Sequence, residues 1–164
     1  MSRSGDNLLA AFEGESQASA RYLAFAETAD AEGYPGTAKL FRAAARAELV
    51  HARNHLKAAR RIGGTLDNVR AAIEGETHEF KEMYPDMVKD AVEEGDTEAR
   101  HSFEFAMSIE MVHAKLFKKA LENPAANPDA VYYVCPLCGH TVLNEPPKKC
   151  PYCGVDSAKF MEIP

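Results

Sequence analysis

The chain has 164 residues, 46% of them hydrophobic and 27% charged, with a net charge of −6. This composition suits a soluble globular protein with one full core and a small appendage. The acidic balance gives no footprint for nucleic acid or an anionic membrane surface, and no apolar run is long enough to span a bilayer.

Met1-Ser2-Arg3-Ser4-Gly5-Asp6 leads straight into an amphipathic pattern, so the expectation is no signal peptide and a cytoplasmic protein. The first predicted helix covers residues 5–32, where Leu8, Phe12, Glu15, Ser19, Tyr22, Ala26 and Ala29 follow one stripe. Gly33 marks its end, and Pro35 suits the first turn of a second helix that runs to about Arg61 and stops at Gly63-Gly64. Its inner stripe reads Phe41, Ala44, Glu48, His51, His55, Ala58 and Ile62. A third helix begins near Asp67 and turns Val69, Ile73, Glu76, Met83 and Met87 inward, with Glu79 or Phe80 beside them. Pro85 predicts a kink or irregular turn near Tyr84. After Gly95, Asp96 or Thr97 caps a fourth helix carrying Phe103, Ala106, Glu110, His113, Phe117 and Leu121 on one stripe, which ends before Pro124. Asn123, Pro124, Asn127 and Pro128 read as linker, and beyond Val131 the composition shifts to Cys, Pro, Gly and Tyr. The expected organisation is an all-α four-helix bundle over 1–124, a linker over 125–130 and a small four-cysteine domain over 131–164.

The four helices are an internal duplication. Glu13-Gly14-Glu15-Ser16 matches Glu74-Gly75-Glu76-Thr77, Tyr22 matches Tyr84, and Phe41 matches Phe103. Ala47-Glu48-Leu49-Val50-His51-Ala52-Arg53 returns as Ile109-Glu110-Met111-Val112-His113-Ala114-Lys115. Glu-x-x-His puts both side chains on one helix face, one turn apart, where they can grip one ion. Any single Glu of this kind is more often a solvated surface group. Four of them at stripe positions that Leu or Phe would normally fill are not explained that way. An isolated carboxylate in a dry core costs on the order of tens of kcal/mol in the low-dielectric limit, so something must compensate. Glu15, Glu48, His51, Glu76, Glu110 and His113 together match the di-iron or di-manganese site of ferritin-like bundles, and their donors suit iron or manganese.

The copies are unequal at Glu79, three residues after Glu76, because Ala18 stands at the matching place after Glu15. An additional carboxylate on one metal is expected there. Tyr22 and Tyr84 lie on the inner stripes and offer hydroxyls to carboxylates or bound peroxide, with ordinary packing as the alternative. His55 is matched by Phe117 and reads as packing; His78 and His101 read as surface.

All four cysteines fall in two matching knuckles, Cys135-Pro136-Leu137-Cys138-Gly139 and Cys150-Pro151-Tyr152-Cys153-Gly154. Two such pairs close a tetrahedral thiolate site rather than a disulfide framework. Spacing alone leaves zinc, the commoner occupant, and a single redox-active iron both open.

Taken together, these residues resemble the rubrerythrin family. The resemblance rests on Gly14–Ala18 with Arg21-Tyr22, Glu48/His51, Gly75-Glu76/Glu79 with Met83-Tyr84-Pro85, Glu110/His113 and the four cysteines, and covers nearly the whole chain in order. It implies a ferritin-like di-iron bundle, a rubredoxin-like domain holding one iron, and reduction of hydrogen peroxide to water. It implies that Glu48 and Glu110 bridge the irons, that Glu15 and Glu79 serve one, and that Glu76 and His113 serve the other. His51 would exchange with Glu79 as the oxidation state changes. The resemblance also implies an external electron donor, an NAD(P)H-dependent reductase or a small redox protein. No Gly-x-Gly-x-x-Gly fingerprint occurs here, so the nicotinamide should bind that partner. The rival reading is a ferritin-like iron-binding protein or ferroxidase with a structural zinc ribbon.

The loops add an expectation about assembly. A helix of about 27 residues is about 40 Å long. In a ferritin-like bundle the third helix must start at the end opposite to where the second stops, yet residues 61 to 67 reach roughly 21 Å at most. Either the bundle runs up-down-up-down, or a homodimer exchanges helix pairs between chains, and the exchange is the favoured expectation.

Overall fold

The computed structural model describes residues 2–125 and 130–163; positions 126–129 of the expected linker lie outside the described residues. Two compact units divide between Gly63 and Gly64. Among the described residues, no helix is long and apolar enough to cross a membrane.

The first unit is a helical hairpin of α1 (Arg3–Ala31) and α2 (Pro35–Ala58). Ser2 Oγ accepts the Gly5 N–H at the start of α1, satisfying one of the donors that a helix start leaves free. The buried positions are small: Ser19, Ala26 and Ala29 on α1, and Ala38, Ala45 and Ala52 on α2. Alanine at these places lets the two backbones approach closely, and Ser19 Oγ donates across the seam to the Ala45 carbonyl at 3.0 Å. The seam on α2 therefore runs beside the stripe expected from hydropathy. Phe41 packs against the alanine cluster from its rim, and Glu48 and His51 stand on the flank.

The second unit begins with α3 (Thr65–His78), passes through a π-helical turn (Glu79–Met83) into α4 (Tyr84–Glu94), and returns as α5 (Thr97–Glu122). The irregularity expected near Tyr84 is this π turn, in which the Tyr84 N–H reaches back to the Glu79 carbonyl. In a regular α-helix the Pro85 ring would press on the carbonyl of Lys81, and widening the turn relieves that clash. Tyr84 stacks on Phe103 with ring centroids 6.3 Å apart at 36°, and Tyr22 on Phe41 at 6.1 Å and 36°. The duplication is thus visible in side-chain geometry.

Beyond the helices, β1 (Tyr132–Val134), β2 (Thr141–Leu143) and β3 (Met161–Ile163) form an antiparallel sheet in the order β2-β1-β3, with Tyr133 opposite Val142 and Glu162. Its core is Cys135, Cys150 and Phe160, with Tyr133, Val142 and Tyr152 packed around them.

The ends of α1, α2 and α4 follow one hydrogen-bond pattern, with one exception in residue type. After α1, Tyr34 N–H bonds Ala29 O and Gly33 N–H bonds Asp30 O; after α4, Asp96 and Gly95 repeat this with Ala91 and Val92. Gly33 and Gly95 take the required left-handed backbone, φ +82° and +71°. After α2 the same pair joins Arg61 to Leu56 and Arg60 to Lys57, but Arg60 holds the left-handed position at φ +56°. The helix ends at Ala58, ahead of the Gly63-Gly64 pair from which the later end was expected. A side chain in that conformation costs about 1 kcal/mol. Arg60→Gly is expected to raise stability by up to about that amount, and Gly95→Ala to lower it by about 1 kcal/mol, both read as midpoint shifts in chemical denaturation.

Candidate metal centres

Each helical hairpin gathers one Glu-x-x-His pair and one early Glu. In the first unit, His51 Nδ1 lies 2.9 Å from Glu48 Oε2 and 4.0 Å from Glu15 Oε1. In the second, His113 Nδ1 lies 2.8 Å from Glu110 Oε2 and 3.6 Å from Glu76 Oε2. Within each triplet, one donor atom per residue comes within 4.8 Å of the others. The one-turn spacing delivers two ligands from a single helix, and the hairpin partner supplies the third.

Within its own unit each of the four carboxylates is partly exposed, with side-chain exposures of 32% for Glu15, 22% for Glu48, 21% for Glu76 and 17% for Glu110. Partial burial still has a cost. Desolvation, reinforced by the adjacent Glu110 carboxylate, pushes Glu76 up to about 7, against a lowering by His113. Burial also raises Tyr84, with Glu79, Glu110 and Glu76 adding negative charge nearby, so its hydroxyl stays protonated.

The four cysteines form the third cluster. All are free, with Cys135 Sγ 3.4 Å from Cys153 Sγ and Cys138 Sγ 3.5 Å from Cys150 Sγ. These gaps are too long for a disulfide and near the edge of a tetrahedron with metal–sulfur bonds of about 2.3 Å. The knuckles superpose in their bonding: Cys135 N–H to His140 O, Gly139 N–H to Cys135 O, Cys150 N–H to Val155 O and Gly154 N–H to Cys150 O. Burial alone would raise Cys135, but the backbone N–H groups of Cys138 and Leu137 bring it down to about 7. Burial pushes Cys138 and Cys153 up. Metal-free, the cluster carries conflicting proton demands that a cation resolves.

Residues 6–121 match the rubrerythrin family, and residues 133–161 match the rubredoxin-like domain of rubrerythrin. The chain belongs to the rubrerythrin family. It is 38% identical to rubrerythrin-2 of Clostridium acetobutylicum, with 94% of each chain covered. It is 36% identical to nigerythrin of Nitratidesulfovibrio vulgaris, over 90% of this chain and 80% of that one. The solved structure of fully reduced, all-ferrous nigerythrin covers 99% of this chain and 88% of its own at 32% identity, with a TM-score of 0.61. The fold is thus the family's ferritin-like four-helix bundle followed by a small three-stranded domain with four clustered cysteines.

Within this rubrerythrin, the donor sets fit the expected groups: carboxylate oxygen with imidazole for iron or manganese, and four sulfurs for iron or zinc. Glu79 joins neither triplet; it opens the π turn on the Tyr84 side. Tyr22 sits between Phe25 and Phe41. His55 is half-buried and in neither triplet, while His78 and His101 are exposed, His78 pairing with Glu82. Two residues that sequence reasoning passed over touch the clusters. Thr141 Oγ1 lies 2.9 Å from His113 Nε2, and buried His140 places Nδ1 3.7 Å from Cys150 Sγ. Both directly follow the first cysteine knuckle, which is the only signal the sequence offers for them. Beside Glu76 and His113 a cavity of about 480 Å³ opens, walled by Leu116, Phe117, Ala120, Tyr132 and Thr141.

The shift of Glu76 sets a pH dependence in metal-free protein. Its pKa rises from 4.5 unfolded to about 7 folded, so over that interval the native state holds a proton that the unfolded state has lost. Its contribution to stability is complete below pH 4.5 and is lost as pH rises through about 7. Glu76→Gln should flatten the fall in melting temperature across this window, measured on chelator-treated protein against wild type.

Proposed function

We propose that this protein reduces hydrogen peroxide to water at a di-iron centre, with electrons entering through an iron in the four-cysteine site. The observation that carries the reading is the presence, in one chain of this family, of two carboxylate–histidine triplets and one tetrathiolate cluster. When bound, two ferrous ions supply the pair of electrons that O–O cleavage requires, and a thiolate-held iron changes valence singly. Nigerythrin, solved in all-ferrous and mixed-valence states, supports a redox-active rather than a structural role for the metals.

The chain's own residues have distinct tasks in this reading. Glu48 and Glu110 would hold both metals, Glu15 and Glu79 would serve one, and Glu76 and His113 would serve the other. His51, whose side chain is 53% exposed, would be the residue able to exchange with Glu79. Tyr84, held protonated, would offer its hydroxyl next to the site, and Tyr22 would offer one from the other copy. Cys135, Cys138, Cys150 and Cys153 hold the single iron. The reductant is an external NAD(P)H-dependent reductase or small redox protein.

The assembly in this reading is a homodimer with exchanged helix pairs. Only residues 59–64 connect α2 to α3, reaching roughly 25 Å from helix to helix at full extension, while the 24 residues of α2 are about 36 Å long. A ferritin-like crossover cannot be made with that reach inside one chain.

Two measurements test these proposals. On rapid mixing of the fully reduced protein with hydrogen peroxide, the visible absorption of the oxidised four-cysteine iron should return within the first turnover. Zinc in that site and no colour would favour an iron-binding protein with a structural ribbon. Mixing Glu48→Ala/His51→Ala protein with Glu110→Ala/His113→Ala protein through an unfolding–refolding step should restore peroxidase activity to part of the population. No recovery, with a monomer in sedimentation, would overturn the exchange.

A further inference from the structure

The two Glu-x-x-His copies differ in one contact that lies outside the duplication. His113 Nδ1 faces Glu110, and its other ring nitrogen lies 2.9 Å from Thr141 Oγ1, at the first residue of β2. Thr141 Oγ1 in turn donates to the Gly139 carbonyl at 3.1 Å. A hydroxyl has one hydrogen, and with it committed to Gly139 only lone pairs face His113. His113 Nε2 must then carry the ring hydrogen and donate it, which leaves Nδ1 as a bare lone pair aimed at Glu110 and Glu76. That is the tautomer an Nδ1 metal ligand requires.

His51 has no such restraint. Its Nδ1 faces Glu48, half of its side chain is exposed, and among the described residues its Nε2 makes no hydrogen bond. Gly139 follows Cys138 directly, and Leu137, Cys138 and Gly139 share a cleft with Ile109, Glu110 and His113 of α5. One hydrogen-bonded chain, His113 to Thr141 to Gly139, therefore ties a carboxylate–histidine triplet to a cysteine knuckle.

We propose that Thr141 is a positioning residue that fixes the ring and tautomer of His113 as an Nδ1 metal ligand. The proposal rests on the reading of Glu76, Glu110 and His113 as a metal site. It gives the four-cysteine domain a second task, as the outer support of the neighbouring centre.

The test uses the full-length protein with zinc filling the four-cysteine site. Mn(II) titration followed by EPR should show Thr141→Val weakening binding by about 10–100-fold, the usual loss when an outer partner of a ligating histidine is removed. Thr141→Ser, which keeps the hydroxyl, should restore it. In fully zinc-loaded protein, ¹⁵N NMR should show a slowly exchanging His113 Nε2–H in wild type and Thr141→Ser, and fast exchange in Thr141→Val. Unchanged Mn(II) affinity in Thr141→Val would overturn the proposal. So would a wild-type His113 whose Nε2–H exchanges as fast as that of exposed His78, a result that stands even if the valine variant fails to fold. Wild type that binds no Mn(II) would defeat the metal-site reading itself, and the NMR result would still report on the Thr141 contact separately.

Discussion

Like charges brought together at partial burial need a cation or a proton, and this requirement organises the helical part of the chain. Glu76 and Glu110 stand side by side at about a fifth exposure, and Glu76 answers by holding its proton toward neutral pH. A packed Leu in either place would be simpler to fold. Each hairpin brings two carboxylates and one histidine together, a donor set that fits a cation. The hairpins are built around that need: alanine and serine close the α1–α2 seam, leaving the ligands on its flank instead of inside it.

Duplication supplies two equivalent half-sites, and three local features make them unequal. The π turn before Pro85 carries Glu79, which has no counterpart in the first copy. The surroundings of the histidines differ, with half of the His51 side chain exposed against a quarter for His113. Of these two histidines, among the described residues only His113 makes a contact beyond the helices, with Thr141. In the proposed two-metal centre, this inequality would separate the roles of fixed and exchanging ligand. The aromatic pairs Tyr22–Phe41 and Tyr84–Phe103 kept their common geometry, so divergence is concentrated at the chemistry.

Much of this was legible in the residue order. The helices, the repeat, the metal-ligand triplets and the thiolate cluster all follow from spacing, because one-turn and knuckle spacings dictate which side chains can converge. Hydropathy did not mark the α1–α2 seam. Alanine scores weakly, so Phe41 and Ala44 outweighed Ala38, Ala45 and Ala52, although small size is what draws two helices together. The end of α2 was misplaced because Gly63-Gly64 is a strong stop signal and Arg60 a weak one, yet the backbone turns left-handed at Arg60. Thr141 was invisible for another reason. A contact between residues 28 apart in sequence leaves no periodic trace, and a threonine at a strand start looks ordinary.

The most direct test of the account is Mössbauer and EPR spectroscopy of the oxidised protein loaded with ⁵⁷Fe. If the two carboxylate–histidine triplets serve one coupled pair of irons, that pair is EPR-silent and only the thiolate-held ferric iron contributes a signal. Separate, uncoupled high-spin ferric signals from carboxylate-bound iron would contradict it.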